Sequence, residues 1–238
     1  VNFRDLVLAH AGRPVAILGA GPSLPEQFGR LPAGCVLISV NHHACALARC
    51  DYIVAIDSKP PEHRTRLEAT GVPIVGPLPW ATYRVMDQPL LGFSSQHAVW
   101  AAWLMGGYPI LLCGMDLYRS GRYWDGAPAP AVGPRRTVES QLRSWRRCFD
   151  AVPATVRSLG GPLAELVPPY DPAELFPSYV EPERATLLKA AGGTVVQIKV
   201  ATKVRGQPLA PGDVVELPTN DARRLVEQRR ARVTDVLR

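Results

Sequence analysis

The segment Gly19-Ala-Gly21-Pro22-Ser23 offers a backbone that turns sharply and lets a ligand approach, followed by a hydroxyl and helix amides able to hold phosphate. No Lys-Ser/Thr pair follows, so it is not a Walker A loop. The third glycine of the dinucleotide fingerprint is missing and Pro22 intervenes. A tight strand-to-helix turn without a ligand is the competing reading. Asn41 and Asp57 can each reach a ribose or a base, or else cap a helix. Asp116, within Gly114-Met-Asp116-Leu-Tyr118, can bind a hydroxyl or a metal ion, or brace its own loop. His42 and His43 follow Asn41 directly and read either as a general base or as surface histidines at a helix start. His97 falls in an apolar helix and reads as structural. The chain has no H-x-x-x-H, H-E-x-x-H or G-x-S-x-G, which leaves zinc-hydrolase and serine-hydrolase chemistry without support.

These residues share one placement: each follows a short apolar run. Pro14–Leu18, Cys35–Val40, Tyr52–Ile56, Val72–Val75 and Ile110–Cys113 read as buried strands, and Ala154–Leu159 as a last one. Helices are expected from about His42 to Arg49, from Pro61 to Ala69, from a Ser94-Ser95 cap to Met105, and where Val138, Leu142, Trp145 and Phe149 recur at helical spacing. Continuous apolar strands alternating with helices predict an α/β fold, a Rossmann-like, mostly parallel sheet of five or six strands with helices on both faces. Gly19, Ser23, Asn41, Asp57, Gly114 and Asp116 then gather along the carboxyl edge, where such sheets bind ligands.

The 238 residues divide into a nucleotide-binding-type domain over 1–161, a proline-rich linker or strap over 162–182 with six prolines, and a small basic module over 183–238. Residues 1–182 carry 16 basic and 15 acidic side chains, and 183–238 carry 11 and 6, so the net charge of +6 belongs mainly to the tail. A β-β-α-β arrangement is expected there, its helix running from Asn220 to Ala231 with arginines outward. Charge without aromatic groups makes a protein surface the better partner for this module than nucleic acid, although a solvated helix face explains the charge equally well. No apolar run is long enough to span a membrane, the first residues do not resemble a signal peptide, and five cysteines without a C-x-x-C pair predict buried free thiols. A soluble, cytoplasmic protein is the expectation.

Val15-Ala-Ile-Leu-Gly-Ala-Gly-Pro-Ser-Leu24, Ser39-Val-Asn41, Ala55-Ile-Asp57, Ser94-Ser95 and Ile110-Leu-Leu-Cys-Gly-Met-Asp-Leu-Tyr118 with Tyr123 resemble, in that order, bacterial sialyltransferase-like proteins and the related 6-hydroxymethylpterin diphosphokinase-like (motility-accessory) group. The resemblance covers about residues 14–125. It implies a nucleotide-binding α/β fold holding a cytidine-monophosphate sugar in the first branch, or ATP with magnesium in the second. Gly19, Gly21, Pro22, Ser23, Asn41, Asp57 and Gly114 would then contact the nucleotide, and Asp116, Tyr118 and Tyr123 would serve the reaction. No separate metal site is implied by the residues themselves. The sialyltransferases place a catalytic histidine after the Gly-Met-Asp-like motif, whereas this chain has no histidine beyond His97, so a pseudoenzyme stays open beside a glycosyltransferase-like enzyme. Gly206–Leu217 followed by Asp221–Glu227 resembles small proteins of bacteriophage head and tail gene clusters. That resemblance implies a phage or prophage source and an alternative role as a virion structural or assembly protein, docked through residues 183–238.

Overall fold

Seven strands hydrogen-bond into a single sheet in which every pairing is parallel. They are β1 (Val15–Leu18), β2 (Val36–Val40), β3 (Tyr52–Val54), β4 (Ile74–Gly76), β5 (Tyr83–Arg84), β6 (Ile110–Cys113) and β7 (Val156–Ser158), in the order β5-β4-β3-β2-β1-β6-β7. Among the described residues four α-helices lie between them: α1 (Leu24–Phe28), α2 (Pro61–Ala69), α3 (Ser94–Leu104) and α4 (Val138–Ala151). The computed structural model describes residues 3–57, 61–85, 92–117, 121–129, 137–152, 154–174, 176, 179–180 and five further strands toward the carboxyl end.

The apolar runs are continuous because both faces of the sheet are covered. Val15, Ile17, Ile110 and Leu112 join one core with α3, Trp145 and Phe3. Ala16, Leu18, Leu111 and Cys113, one residue out of step, join the other with Leu24, Leu159 and Tyr170. Helix α3 crosses β1, β2, β3 and β6. Ala98, Val99, Trp100, Ala101, Ala102 and Leu104 are all buried there, which accounts for a helix that is apolar nearly all round. Gly106 ends the segment with φ of 81°.

The parallel α/β fold agrees with the sequence expectation, with three local differences. The sheet has seven strands rather than five or six, because β5 is a two-residue strand too short to leave an apolar pattern. The helix expected over 42–49 is a single 3-10 turn, His43–Ala46, since the chain must re-enter β3 only six residues later. The amino-terminal cap of α3 is Phe93, so Ser94 and Ser95 are its first helical residues; the side chain of Gln96 folds back to accept from Gly92 N–H at 2.8 Å.

Toward the carboxyl end, β8 (Thr194–Ile198) pairs antiparallel with β11 (Val214–Leu217) and β12 (Ala231–Val233), while β9 (Thr202–Val204) and β10 (Gln207–Leu209) form a hairpin. The tail helix expected over 220–231 lies outside the described residues except for Ala231, which opens β12. Among the described residues no helix is long and apolar enough to cross a membrane.

Candidate functional site

The carboxyl ends of β1, β2, β3 and β6 open into one cleft of about 920 Å³, its open mouth included. The strand order reverses at β1, with β2 on one side and β6 on the other, and crevices at such reversals accept ligands. Gly19, Gly21, Pro22, Asn41, Asp57, Gly114, Asp116 and Tyr123 all line this cleft. Ser23 does not line the cleft but hydrogen-bonds Asp116, which does. Tyr118 lies outside the described residues.

The glycine turn is shaped by β6 as much as by any ligand. Gly21 N–H donates to Gly114 O at 2.9 Å, and Gly19 N–H to Cys113 O at 2.7 Å. The Asp116 carboxylate accepts Ser23 N–H at 2.9 Å and the Ser23 hydroxyl at 2.8 Å, sealing the start of α1. A β-carbon on Gly21 would collide with Asp116 Oδ2, so glycine is required by this close approach. An anion arriving at the turn therefore meets amides of Gly19, Gly21 and Ser23 that already have partners. Asp116 is likewise an anchored carboxylate.

Asn41 differs. Its φ of 58° is left-handed, a conformation asparagine tolerates better than most residues but at a cost. Asn41 N–H donates to Val54 O at 3.1 Å and its carbonyl accepts the Ser39 hydroxyl at 2.5 Å, which locks the peptide at the end of β2. Its side-chain Oδ1 is shielded from solvent and has no hydrogen-bond partner. An unsatisfied buried amide oxygen on a strained residue lining a cleft is a group awaiting a donor.

The open amino-terminal end of α3 also faces the cleft. Gln96 and His97 N–H both donate to Phe93 O, at 3.0 and 3.2 Å, and the amides of Ser94 and Ser95 precede them where an α-helix has no internal acceptors. Both serines line the cleft, and Ser94 is 7% exposed. A positive helix terminus with two hydroxyls favours an anionic group.

The third feature is a histidine–aspartate pair. His43 Nδ1 lies 3.2 Å from Asp125 Oδ2; because a carboxylate only accepts, Nδ1 carries the proton. The His43 ring packs against Tyr123, with centroids 4.0 Å apart, and against His42, at 4.2 Å. Its side chain is 14% exposed and lines the cleft. Burial, then the neighbouring His43, His63 and Arg66, pushes the His42 pKa down to about 4, and burial lowers that of His63 as well. Burial works against the Asp125 carboxylate, but the Ala127 amide and His43 outweigh it and hold its pKa below the ordinary value.

Sequence reading left His43 between two roles and did not single out Asp125, Arg122 or Gln141, which the fold brings to the cleft or its rim. Gln141 Nε2 donates to Leu117 O at 3.2 Å and lines the floor beside Trp145. The helical spacing of Val138 and Trp145 could have pointed to Gln141 as a polar residue on a buried face. Nothing in the loop sequence signals that Asp125 meets His43. Among the described residues no three His, Cys, Asp or Glu side chains converge to hold a metal ion.

No family model matches the chain. A hydroxyacylglutathione hydrolase of Cupriavidus metallidurans is 29% identical over 140 residues, 50% of this chain and 52% of its own length, so the chain spans about half of the curated relative it matches. Among solved structures, the sialyltransferase CstII of Campylobacter jejuni in complex with the substrate analogue CMP-3FNeuAc is similar with a TM-score of 0.47 and 11% identity, over 75% of this chain and 99% of that one. The sialyltransferase CST-II with a trisaccharide acceptor and CMP gives a TM-score of 0.47 and 13% identity, over 75% and 100%.

Proposed function

We propose that the cleft binds a nucleotide-sugar and transfers its glycosyl group to an acceptor hydroxyl. The observation that carries this reading is Asn41, a strained residue with an unsatisfied, shielded side-chain oxygen at the end of β2, beside the point where the strand order reverses. Such an oxygen suits a donor on a base or ribose, and the exposed Asp57 at the neighbouring strand end suits a ribose hydroxyl. The Ser94-Ser95 end of α3 suits the donor's phosphate or a sugar carboxylate. The Gly19–Ser23 turn contributes shape: braced by Gly114 and Asp116, it keeps side chains out of the space the nucleotide would occupy. The motif resemblance over residues 14–125 favours a cytidine-monophosphate donor within this class.

Isothermal calorimetry with cytidine, uridine, adenosine and guanosine nucleotides, with and without magnesium, tests the reading. Binding of one nucleoside class, tightened by its sugar conjugate, is the expected result. Folded protein that binds none of them at millimolar concentration would refute it.

A further inference from the structure

Transfer to a hydroxyl needs a group that takes the acceptor's proton, and the sequence has no histidine beyond His97 to supply it. Five titratable side chains line the cleft among the described residues: His43, Asp57, Asp116, Arg122 and Tyr123. Asp116 accepts both donors of Ser23 and braces the turn after β1. Asp57 stands at the exposed rim. Arginine and tyrosine carry their protons at neutral pH and accept none. His43 remains.

We propose that His43 is the general base of the transfer and that Asp125 is its positioning residue, an inference that rests on the glycosyl-transfer reading above. Asp125 holds the proton on Nδ1, which leaves the Nε2 lone pair as the acceptor. Tyr123 and His42 both pack against the ring and restrict its orientation. The charged and titratable groups around it are few. Burial, with His43 and Arg66 beside them, lowers the pKa of both His42 and His63, so a proton gained by His43 meets no second imidazolium at neutral pH. Arg66 acts on both of those histidines, Asp57 acts on His63, and Arg122 shares the cleft. Asp125 stabilises the imidazolium as it forms. The base thus comes from the end of β2 instead of the segment after β6.

In the step, the acceptor O–H proton passes to His43 Nε2 as the acceptor oxygen bonds to the glycosyl carbon. The bond from that carbon to the nucleotide's phosphate oxygen breaks, and its electron pair leaves on that oxygen. His43 then returns its proton to solvent. With water as acceptor the same balance describes donor hydrolysis, which needs no knowledge of the natural acceptor.

The experiment measures free nucleotide released from cytidine-, uridine- and guanosine-linked sugars by the full chain and by His43→Asn and Asp125→Asn. His43→Asn should bind nucleotide within about threefold of the parent yet release it roughly 10²- to 10⁴-fold more slowly, with the acidic limb of the pH–rate profile gone. Asp125→Asn should lose less, about tenfold, with that limb displaced. Circular dichroism confirms that the variants fold. Independently, long-range ¹H–¹⁵N spectra of ¹⁵N-histidine protein should show the neutral His43 ring protonated on Nδ1, and Asp125→Asn should erase that preference. A His43→Asn protein with parental rates and limb overturns the proposal, as does a proton resting on Nε2 in the parent. Failure of every nucleotide to bind sinks the transfer reading and the base role with it, whereas the Nε2 result sinks the base role alone.

Discussion

Asp116 and Ser23, 93 positions apart, meet through both donors of the serine: the backbone N–H and the hydroxyl each lie 2.8–2.9 Å from the carboxylate. The contact ties the loop after β6 to the turn after β1, two segments that line the cleft. Charge-assisted hydrogen bonds of this kind contribute more than neutral ones, so Asp116→Ala should lower unfolding stability by about 1.5–3 kcal/mol. Gly21→Ala should destabilise too, because its β-carbon meets both Asp116 Oδ2 and Gly114 O. Urea unfolding of the two variants and their double mutant should give a sub-additive loss, since removing the carboxylate clears part of the collision. Full additivity would show that the two residues do not share this contact.

Asn41 separates stability from binding. Asn41→Gly keeps a residue at ease with φ of 58°, so its thermal stability should stay within about 1 kcal/mol of the parent. It removes the shielded amide oxygen, and nucleotide affinity should fall by roughly tenfold or more. Asn41→Ala should lose both affinity and about 1 kcal/mol of stability. Equal nucleotide affinities in Asn41→Gly and the parent would remove Asn41 from the site.

Strand positions were legible because burial on both sheet faces writes itself as runs such as Ile110–Cys113, and helix positions because Val138, Leu142, Trp145 and Phe149 keep one face. Once the strands are parallel, Gly19, Asn41, Asp57 and Gly114 must share an edge, so most of the cleft wall follows from alternation alone. What escaped depends on loop paths. Asp125 meets His43 across 82 residues of sequence through a turn braced by Ala127 N–H on its own carboxylate, and no periodicity encodes that meeting. The roles of Ser94 and Ser95 shifted because Phe93, and not a serine, became the cap.

The cysteines differ in their surroundings although none is paired. A hydrogen bond with Cys50 outweighs burial and brings the Cys45 pKa down to about 7, whereas burial pushes Cys113 and Cys148 up to about 12. Iodoacetamide at pH 7.5 followed by peptide mass spectrometry should therefore label Cys45 first and leave Cys113 and Cys148 unmodified in folded protein. Cys50→Ala should slow labelling of Cys45 several-fold by removing the hydrogen bond that favours its thiolate. Labelling of Cys148 ahead of Cys45 would contradict this ordering.

Acid should weaken the fold through its histidines. Burial is the leading cause that lowers the pKa of His10, His42, His63 and His97, with His42 reaching about 4 against an ordinary 6.5. Between those two values the unfolded chain binds protons that folded His42 refuses, so stability rises with pH across this window and is lost as pH falls through it. Above 6.5 both states are neutral at this site and its contribution is flat. Below about 4 both are charged and the loss is complete. His42→Asn removes the largest such group, and its melting temperature should decline less than the parent's between pH 6.5 and 4.5, even if the two differ at pH 7.5. Carboxylates such as Asp125, whose pKa lies below the ordinary value, act in the same direction but at lower pH, below their ordinary range. Thermal melts at half-unit intervals from pH 2.5 to 8 cover both windows and separate the two contributions. Parallel curves for His42→Asn and the parent across the histidine window would show that His42 ionises freely in the folded protein, and burial would then not hold its ring neutral.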